Sequence, residues 1–419
     1  MNREPGTHKA YTIDLQCPQC GAPVVLQETE RIVACSYCRV RHFIVESGHP
    51  SYLIPPKQAA DPEQLYYLPY WRFKGMAFAL QESRVVHRLI DSSAQAVRNF
   101  ALPFSLGLRS QTQRLKQITP ETSGRFLLPS TTSRQISRQI NGQLLGLGPQ
   151  IKDRRVFQVQ VGEIVSLIYT PLLADSNGFV DGLTGKRLPR EAAGLAKKQP
   201  SPEAPANTGF LPALCPHCGW DLEGENSSNC LFCRNCFRVW MGVKGKLMPI
   251  PFQFFGKDPT EEIYLPFWNF RIKAQGLDLE ERLTRTGRKF EGMGKDAGNG
   301  SSLVSCNIPA FKIHPGLFLR LSRQMSAASA AGRNIREFPS ATYYPVTLPF
   351  QEGLQAVPLL LFHRSRNKQA FASQLSRAAF KPRKISLLFV PFIRRGSDLV
   401  QPELNIGLHK NALSVGRML

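Results

Sequence analysis

Apolar residues in this chain gather in short dense runs divided by polar and proline-rich stretches, a pattern that predicts strands more often than helices. Tyr67-Leu-Pro-Tyr-Trp-Arg-Phe73 is mostly aromatic and suits a pleated, buried surface. Its proline confines it to a sheet edge, a strand start or a bulge. Val161-Gly-Glu-Ile-Val-Ser-Leu-Ile-Tyr-Thr-Pro171 predicts another strand. Asp175-Ser-Asn-Gly178 predicts a turn, followed by a short strand and a second turn at Thr184-Gly185. Helical signals are shorter. Ile136 and Ile140 stand four apart within residues 133–141, and residues 365–380 set Phe371, Leu375 and Ala378 or Ala379 on one stripe. The longest dense apolar stretch, residues 385–393, is too short to cross a bilayer as a helix. The expected fold class is α+β, with antiparallel strands dominant and helices short.

The pattern also recurs. Tyr67-Leu-Pro-Tyr-Trp-Arg-Phe73 returns 197 residues later as Tyr264-Leu-Pro-Phe-Trp-Asn-Phe270. Leu102-Pro103 has a counterpart in Ile308-Pro309, at an offset of 206. Ser166-Leu-Ile-Tyr-Thr-Pro-Leu-Leu173 returns as Ser386-Leu-Leu-Phe-Val-Pro-Phe-Ile393, at an offset of 220. Order is kept while the offset grows, as insertions in a second copy would produce. The Gly-rich residues 292–302 are one candidate insertion. The expected organisation is a tandem repeat: zinc ribbon 1 at 10–48, an α+β domain at 49–188, a linker at 189–209, zinc ribbon 2 at 210–250 and a second α+β domain at 251–419. Residues 189–209 are rich in Pro, Ala and charge, which predicts an extended linker.

Nine of the ten cysteines lie in two tight groups. Cys17-Pro-Gln-Cys20-Gly is followed by Cys35-Ser-Tyr-Cys38, and Cys215-Pro-His-Cys218-Gly by Cys233-Arg-Asn-Cys236, with 14 residues between the pairs in both groups. A Cys-x-x-Cys turn points two thiolates at one ion, and two such turns complete a tetrahedral site. The glycine after each first pair suits the left-handed turn of a zinc knuckle. The expected ligands are Cys17, Cys20, Cys35 and Cys38 for one structural Zn²⁺, and Cys215, Cys218, Cys233 and Cys236 for a second. Spacing alone also admits iron. Residues 23–34 between the first two pairs read as a hairpin. Cys230 is spaced by three from Cys233 and offers an alternative pair, which the matched gap disfavours. Cys306 reads as a small buried hydrophobe. His42 and His217 flank ligands and would orient or screen them. With no export signal at residues 1–9, reduced thiols are expected and structural disulfides are not.

Composition adds one fact: 53 Lys and Arg outnumber 31 Asp and Glu, for a net charge of +22. Such a surplus attracts nucleic acid, anionic lipid or an acidic protein, and charge alone does not choose. Residues 353–397 hold nine basic side chains and no acid. Arg364, Arg366, Lys368, Arg377, Lys381, Arg383 and Lys384 within it, on a short amphipathic helix, are a candidate set for binding phosphate or anionic lipid, weighed against a solvated basic face over an ordinary core stripe. Trp71 with Arg72, and Trp268 with Arg271, read as core aromatics before nucleobase platforms. The GxxxxGK[ST], HExxH and GxSxG motifs do not occur.

The run Cys17-Pro-Gln-Cys20-Gly, Cys35-Ser-Tyr-Cys38 and Tyr67-Leu-Pro-Tyr-Trp-Arg-Phe73 resembles bacterial TFIIB-type or replication-factor-Y-like zinc-ribbon proteins. Phe179-Val-Asp-Gly-Leu-Thr-Gly-Lys186 is similar to a strand–turn element of that group. The resemblance implies work beside membrane-stress scaffolds related to phage-shock protein A and flotillins. The expected function is a non-enzymatic adaptor that binds a protein partner, with nucleic-acid binding as the alternative. The expected location is cytoplasmic, reaching the inner face of the membrane only through a partner.

Overall fold

The computed structural model describes residues 11–81, 84–98, 102–107, 114–144, 157–198, 200–243, 245–256, 263–277, 294–295, 302–327, 337–365, 367–375 and 377–417. The first ribbon is two hairpins, β1 (Thr12–Gln16) with β2 (Pro23–Gln27) and β3 (Ile32–Ala34) with β4 (Arg41–Glu46). The single hairpin expected over residues 23–34 therefore does not form. Each Cys-x-x-Cys turn reverses the chain itself, so β2 turns back on β1 and β3 on β4.

The chain continues through β5 (Ser51–Leu53), β6 (Leu65–Gln81), β7 (Arg84–Gln95), β8 (Leu115–Gln117), β9 (Arg125–Phe126), α1 (Ser133–Leu144), β10 (Gln158–Asp175) and β11 (Gly178–Asp181). Its sheet has the order β2-β1-β8-β5-β10-β6-β7, with β11 beside β10 and β9 beside β6. The first hairpin of the ribbon is thus an edge of the large sheet. Ile136 and Ile140 of α1 are buried, as their spacing predicts.

Pro69 lies inside the long strand β6 and not at its edge. Its position still obeys the rule that proline lacks a donor. On the side where the Pro69 carbonyl accepts from Ala96, β6 pairs with β9 as far as Tyr67 and with β7 only from Tyr70 onward. The proline occupies the gap between partners, where no ladder bond is forfeited.

Residues 189–209 are not an extended tether. A 3-10 helix spans Arg190–Lys198 and buries Ala192 and Leu195 against Phe179 and Leu183. Ser201 and Phe126 exchange two 2.8 Å backbone hydrogen bonds. Then β12 (Thr208–Pro212) adds a third strand to β3–β4 of the first ribbon. The Pro- and Ala-rich composition concealed two apolar anchors three residues apart.

The second ribbon contributes β13 (Cys230–Cys233), β14 (Arg238–Val243) and β15 (Lys246–Ile250). After it come β16 (Phe252–Phe254), β17 (Ile263–Gln275), β18 (Gly294–Lys295), β19 (Ser302–Pro309), α2 (Pro315–Ala327), β20 (Thr342–Tyr343), α3 (Phe350–Gln355), α4 (Val357–Arg364), α5 (Lys368–Leu375), β21 (Ala379–Arg395), β22 (Asp398–Gln401), β23 (Ile406–His409) and α6 (Lys410–Arg417). The sheet order is β18-β19-β17-β21-β22-β23, with β16 beside β21 and β20 beside β17. The protein is a mixed fold of mostly strands and few helices. The helix expected over residues 365–380 stops at Leu375, and Ala379 opens β21; Phe371 and Leu375 are buried as expected. The match of Leu102-Pro103 to Ile308-Pro309 is not kept in space. Pro309 faces Phe267 just as Gln95 faces Tyr70. The insertion expected at 292–302 falls mostly outside the described residues. Among the described residues, no helix is long and apolar enough to cross a membrane.

One apolar core crosses the midline of the sequence. Met76, Phe78, Leu80, Val159 and Val161 join Trp268, Phe270, Phe318 and Leu359 in one cluster. Beside it lies a buried charge network. The guanidinium of Arg72 binds Glu28, the Lys74 ammonium lies 2.5 Å from the same carboxylate, and Arg72 also reaches Asp91 at 3.1 Å. Two cations and two carboxylates cancel, and Tyr11 lies 4.1 Å from the Arg72 guanidinium carbon.

Burial pushes the Glu28 carboxyl upward, but Arg72 and Lys74 together outweigh it and hold the group below its ordinary value. Its contribution to stability is therefore full above the unfolded value of 4.5 and is lost as pH falls through the lower folded value. Glu28→Gln leaves two buried cations short of a carboxylate. It should cost about 3–5 kcal/mol in denaturant unfolding at pH 7, with the gap to the parent narrowing in acid.

Candidate metal centres and charged surfaces

Both knuckles of each ribbon use the same backbone device. Gly21 and Gly219 adopt φ of 73° and 75°, and Arg39 and Phe237 adopt 62° and 52°. The amides of Gly21, Arg39 and Gly219 donate to the carbonyls of Cys17, Cys35 and Cys215. These left-handed residues bend the chain tightly enough for both thiols of a pair to face one point.

Cys17, Cys20, Cys35 and Cys38 form one cluster and Cys215, Cys218, Cys233 and Cys236 the other, with all sulfurs of a cluster within 4.8 Å of one another. Contacts across the pairs are 3.7 Å for Cys17–Cys38 and for Cys20–Cys35, 3.6 Å for Cys215–Cys236 and 3.4 Å for Cys218–Cys233. A tetrahedron with Zn–S of about 2.3 Å has an S···S edge of about 3.8 Å. The sulfurs therefore fit one ion per cluster. The two tetracysteine clusters are compatible with two structural zinc ions. Within the clusters the thiols split. Asn235 and the Trp220 amide lower the Cys218 thiol to about 6, and the Cys38 amide leads in lowering Cys35 to about 7, while burial and the neighbouring sulfurs push Cys38, Cys233 and Cys236 up.

Cys230 lies outside the second cluster, at the start of β13, and burial raises its thiol strongly. Cys306 is buried in the core, as expected. His42 is buried, with its ring 6.5 Å from that of Phe210 and its Nδ1 without a hydrogen-bond partner. His217 is exposed. Neither histidine is a member of a sulfur cluster.

The ribbons pack against each other. Ile32 and Phe43 of the first share a small core with Ala213, Leu222, Leu231 and Trp240 of the second. The Arg31 and Ile32 amides donate to the Asn226 carbonyl, and the Arg41 guanidinium donates to the carbonyls of Leu222 at 3.0 Å and Gly224 at 2.8 Å. Gly242 leaves the space that the Phe43 side chain occupies: a Cβ there would overlap the Phe43 ring.

The anion-binding set divides. Arg366 lies outside the described residues, and Arg364 ends α4. Lys368 starts α5 with its ammonium 6.0 Å from the Phe362 ring. Arg377, Lys381, Arg383 and Lys384 are exposed at and before the start of β21. These last four gather at one end of a sheet, three of them on a strand and Arg377 just before it, and not on the short helix that was expected. Two further bases, Arg271 and Lys273 of β17, face Lys384 and Lys381 across the ladder. This pairing is not legible in the sequence, because more than a hundred residues separate the partners. Trp71 and Trp268 are buried and each donates its indole N–H to a carbonyl, of Thr131 and Leu348. Both are core residues, as expected.

Comparison with known protein families, curated proteins and solved structures finds no match to the chain.

Elemental analysis of the purified protein should find two zinc ions per chain. Cys17→Ser or Cys233→Ser should lower this to about one, because metal binding and folding are coupled in ribbons. Cys230→Ala should keep both. Gly242→Ala, by forcing Phe43 aside, should lower the thermal midpoint with a cost of about 1–3 kcal/mol.

Proposed function

We propose that this protein is a non-enzymatic, zinc-stapled adaptor whose second ribbon docks a protein partner. Four thiolates saturate each ion, so the metals would hold structure and leave no position for a substrate. The observation that carries the reading is an apolar patch on the outer knuckle. Leu214 and Trp220 are 47% and 58% exposed, on either side of Cys215 and Cys218. In the first ribbon the positions 198 residues earlier are Gln16 and Ala22. Between Lys198 and Arg234 there is no Lys or Arg, while Asp221, Glu223 and Glu225 are exposed beside the knuckle, with Glu223 paired to Arg234 at 3.1 Å. A patch of this kind suits a partner segment that carries apolar and basic side chains. Its acidic rim would be repelled by anionic lipid, so membrane association, where it occurs, would run through the partner.

We also infer that the chain is an internal duplication with the ribbon-then-sheet order given above, and that it is related to the TFIIB-type or replication-factor-Y-like zinc-ribbon proteins. Matching registers support the first inference. Tyr67 faces Pro171 and Tyr264 faces Pro391, at offsets of 197 and 220. The carbonyls of Pro69 and Pro266 accept from Ala96 and Ala310, and β5 and β16 lie parallel to β10 and β21.

The test uses nuclease-treated lysate of the native host. Leu214→Gln with Trp220→Ala installs the side chains of the first ribbon at the knuckle. A partner retained by the parent protein should be lost on the double variant while both zincs remain. Equal retention by the two would refute the docking role of the knuckle.

A further inference from the structure

The open end of β17 and β21 carries a cluster of like charges that the fold does not require. Arg271 faces Lys384, and Lys273 faces Lys381, so two rungs, with Ile272 opposite Pro382 between them, each pair a base with a base. Like charges directly opposite one another destabilise a ladder. Arg383 occupies the bulge between the rungs, and Arg377 lies beside them next to Gly276. The strands β17, β18, β19 and β21 contain no Asp or Glu among the described residues. Arg271, Lys381 and Lys384 form no ion pair among the described residues.

The other large sheet treats the same positions differently. The rungs 197 and 220 residues earlier are Lys74 opposite Ile164 and Met76 opposite Val161. There the single base is buried and bound to Glu28, while Met76 and Val161 lie in the shared core. Four ladder positions thus hold one neutralised base in the first sheet and four bases in the second, of which Arg271, Lys381 and Lys384 are exposed and without an ion pair among the described residues. Burial and pairing explain the first arrangement. An external polyanion explains the second.

We propose that the face formed by Arg271, Lys273, Lys381, Arg383 and Lys384 binds the phosphate backbone of double-stranded nucleic acid without reading its sequence. The choice of polyanion follows from what surrounds the bases. Among the described residues, none of the exposed large apolar side chains belongs to β17 or β21. Without an exposed ring, these two strands offer no stacking platform for unpaired bases. Without a large exposed apolar side chain, they have nothing to insert below lipid headgroups. The rungs lie about 7 Å apart along the strands, so the ammonium and guanidinium groups can meet successive phosphates and leave the grooves unread.

The test is fluorescence anisotropy with a labelled random-sequence 20-base-pair DNA duplex, from 50 to 300 mM KCl. Vesicles of one part phosphatidylglycerol to two parts phosphatidylcholine form a parallel arm. The variant Lys381→Glu with Lys384→Glu is compared with Lys57→Glu and Lys186→Glu, which change the net charge equally at exposed positions elsewhere. Zinc content checks that each variant is folded. The parent should bind with log K falling against log salt at a slope of about −4.5, as five phosphate contacts require. The β21 variant should lose at least about 30-fold in affinity at 50 mM KCl with a shallower slope, and the control less than about 3-fold. Equal loss in both variants, no duplex binding at 50 mM KCl, or binding to the vesicles and not to the duplex would each overturn the proposal.

Discussion

Tetrahedral thiolate chemistry is the constraint from which the molecule is built. A ribbon of roughly 40 residues cannot bury enough apolar surface to fold alone. A structural zinc contributes about 10–16 kcal/mol of apparent binding energy to such a unit, more than its small core could. The two clusters hold their sulfurs 3.4–3.7 Å apart across the pairs, close to the edge of a zinc tetrahedron. Each ion would fix two knuckles and thereby the angle between two hairpins. Everything attached to those hairpins inherits the geometry: the edge strand β2, the inserted strand β12, and the seam where Phe43 meets Gly242.

The seam turns two local staples into one structure. Strand β12 belongs to the sequence that leads into the second ribbon, yet it completes the sheet of the first. Arg41 reaches from the first ribbon to two carbonyls of the second, and charge-assisted bonds of this kind contribute about 1.5–3 kcal/mol each. Farther in, Met76 and Phe78 lie in the same core as Trp268 and Phe318. The two halves are stabilised by each other as well as by metal.

The parts of this architecture legible in the sequence were those whose chemistry dictates spacing. Two thiols need two intervening residues to meet at one ion, so Cys17 to Cys38 and Cys215 to Cys236 could be read as sites directly. The aromatic strands at Tyr67 and Tyr264 were legible from composition, and Ile136 with Ile140 from helical spacing. What escaped were choices made by distant partners. Residues 23–34 contain two strands, but only the knuckles decide that they pair outward. Ala192 and Leu195 are unremarkable apolar residues in a polar stretch until Phe179 and Leu183 receive them. Pro69 reads as a residue of a sheet edge, a strand start or a bulge, because the sequence does not reveal that β9 ends where β7 begins. The basic run was placed on a helix, and its meeting with Arg271 and Lys273 depends on a register set far away in the chain.

Hydrogen exchange with and without a chelator tests most directly the claim that metal holds both ribbons as one unit. In the metal-loaded protein, amides of β3, β4, β12, β13 and β14 should be protected together. Chelation should release all five at a common rate, while β6, β10, β17 and β21 keep slower exchange. If β12 and β4 stay protected after the metal is gone, or if the two ribbons open independently, the account is contradicted.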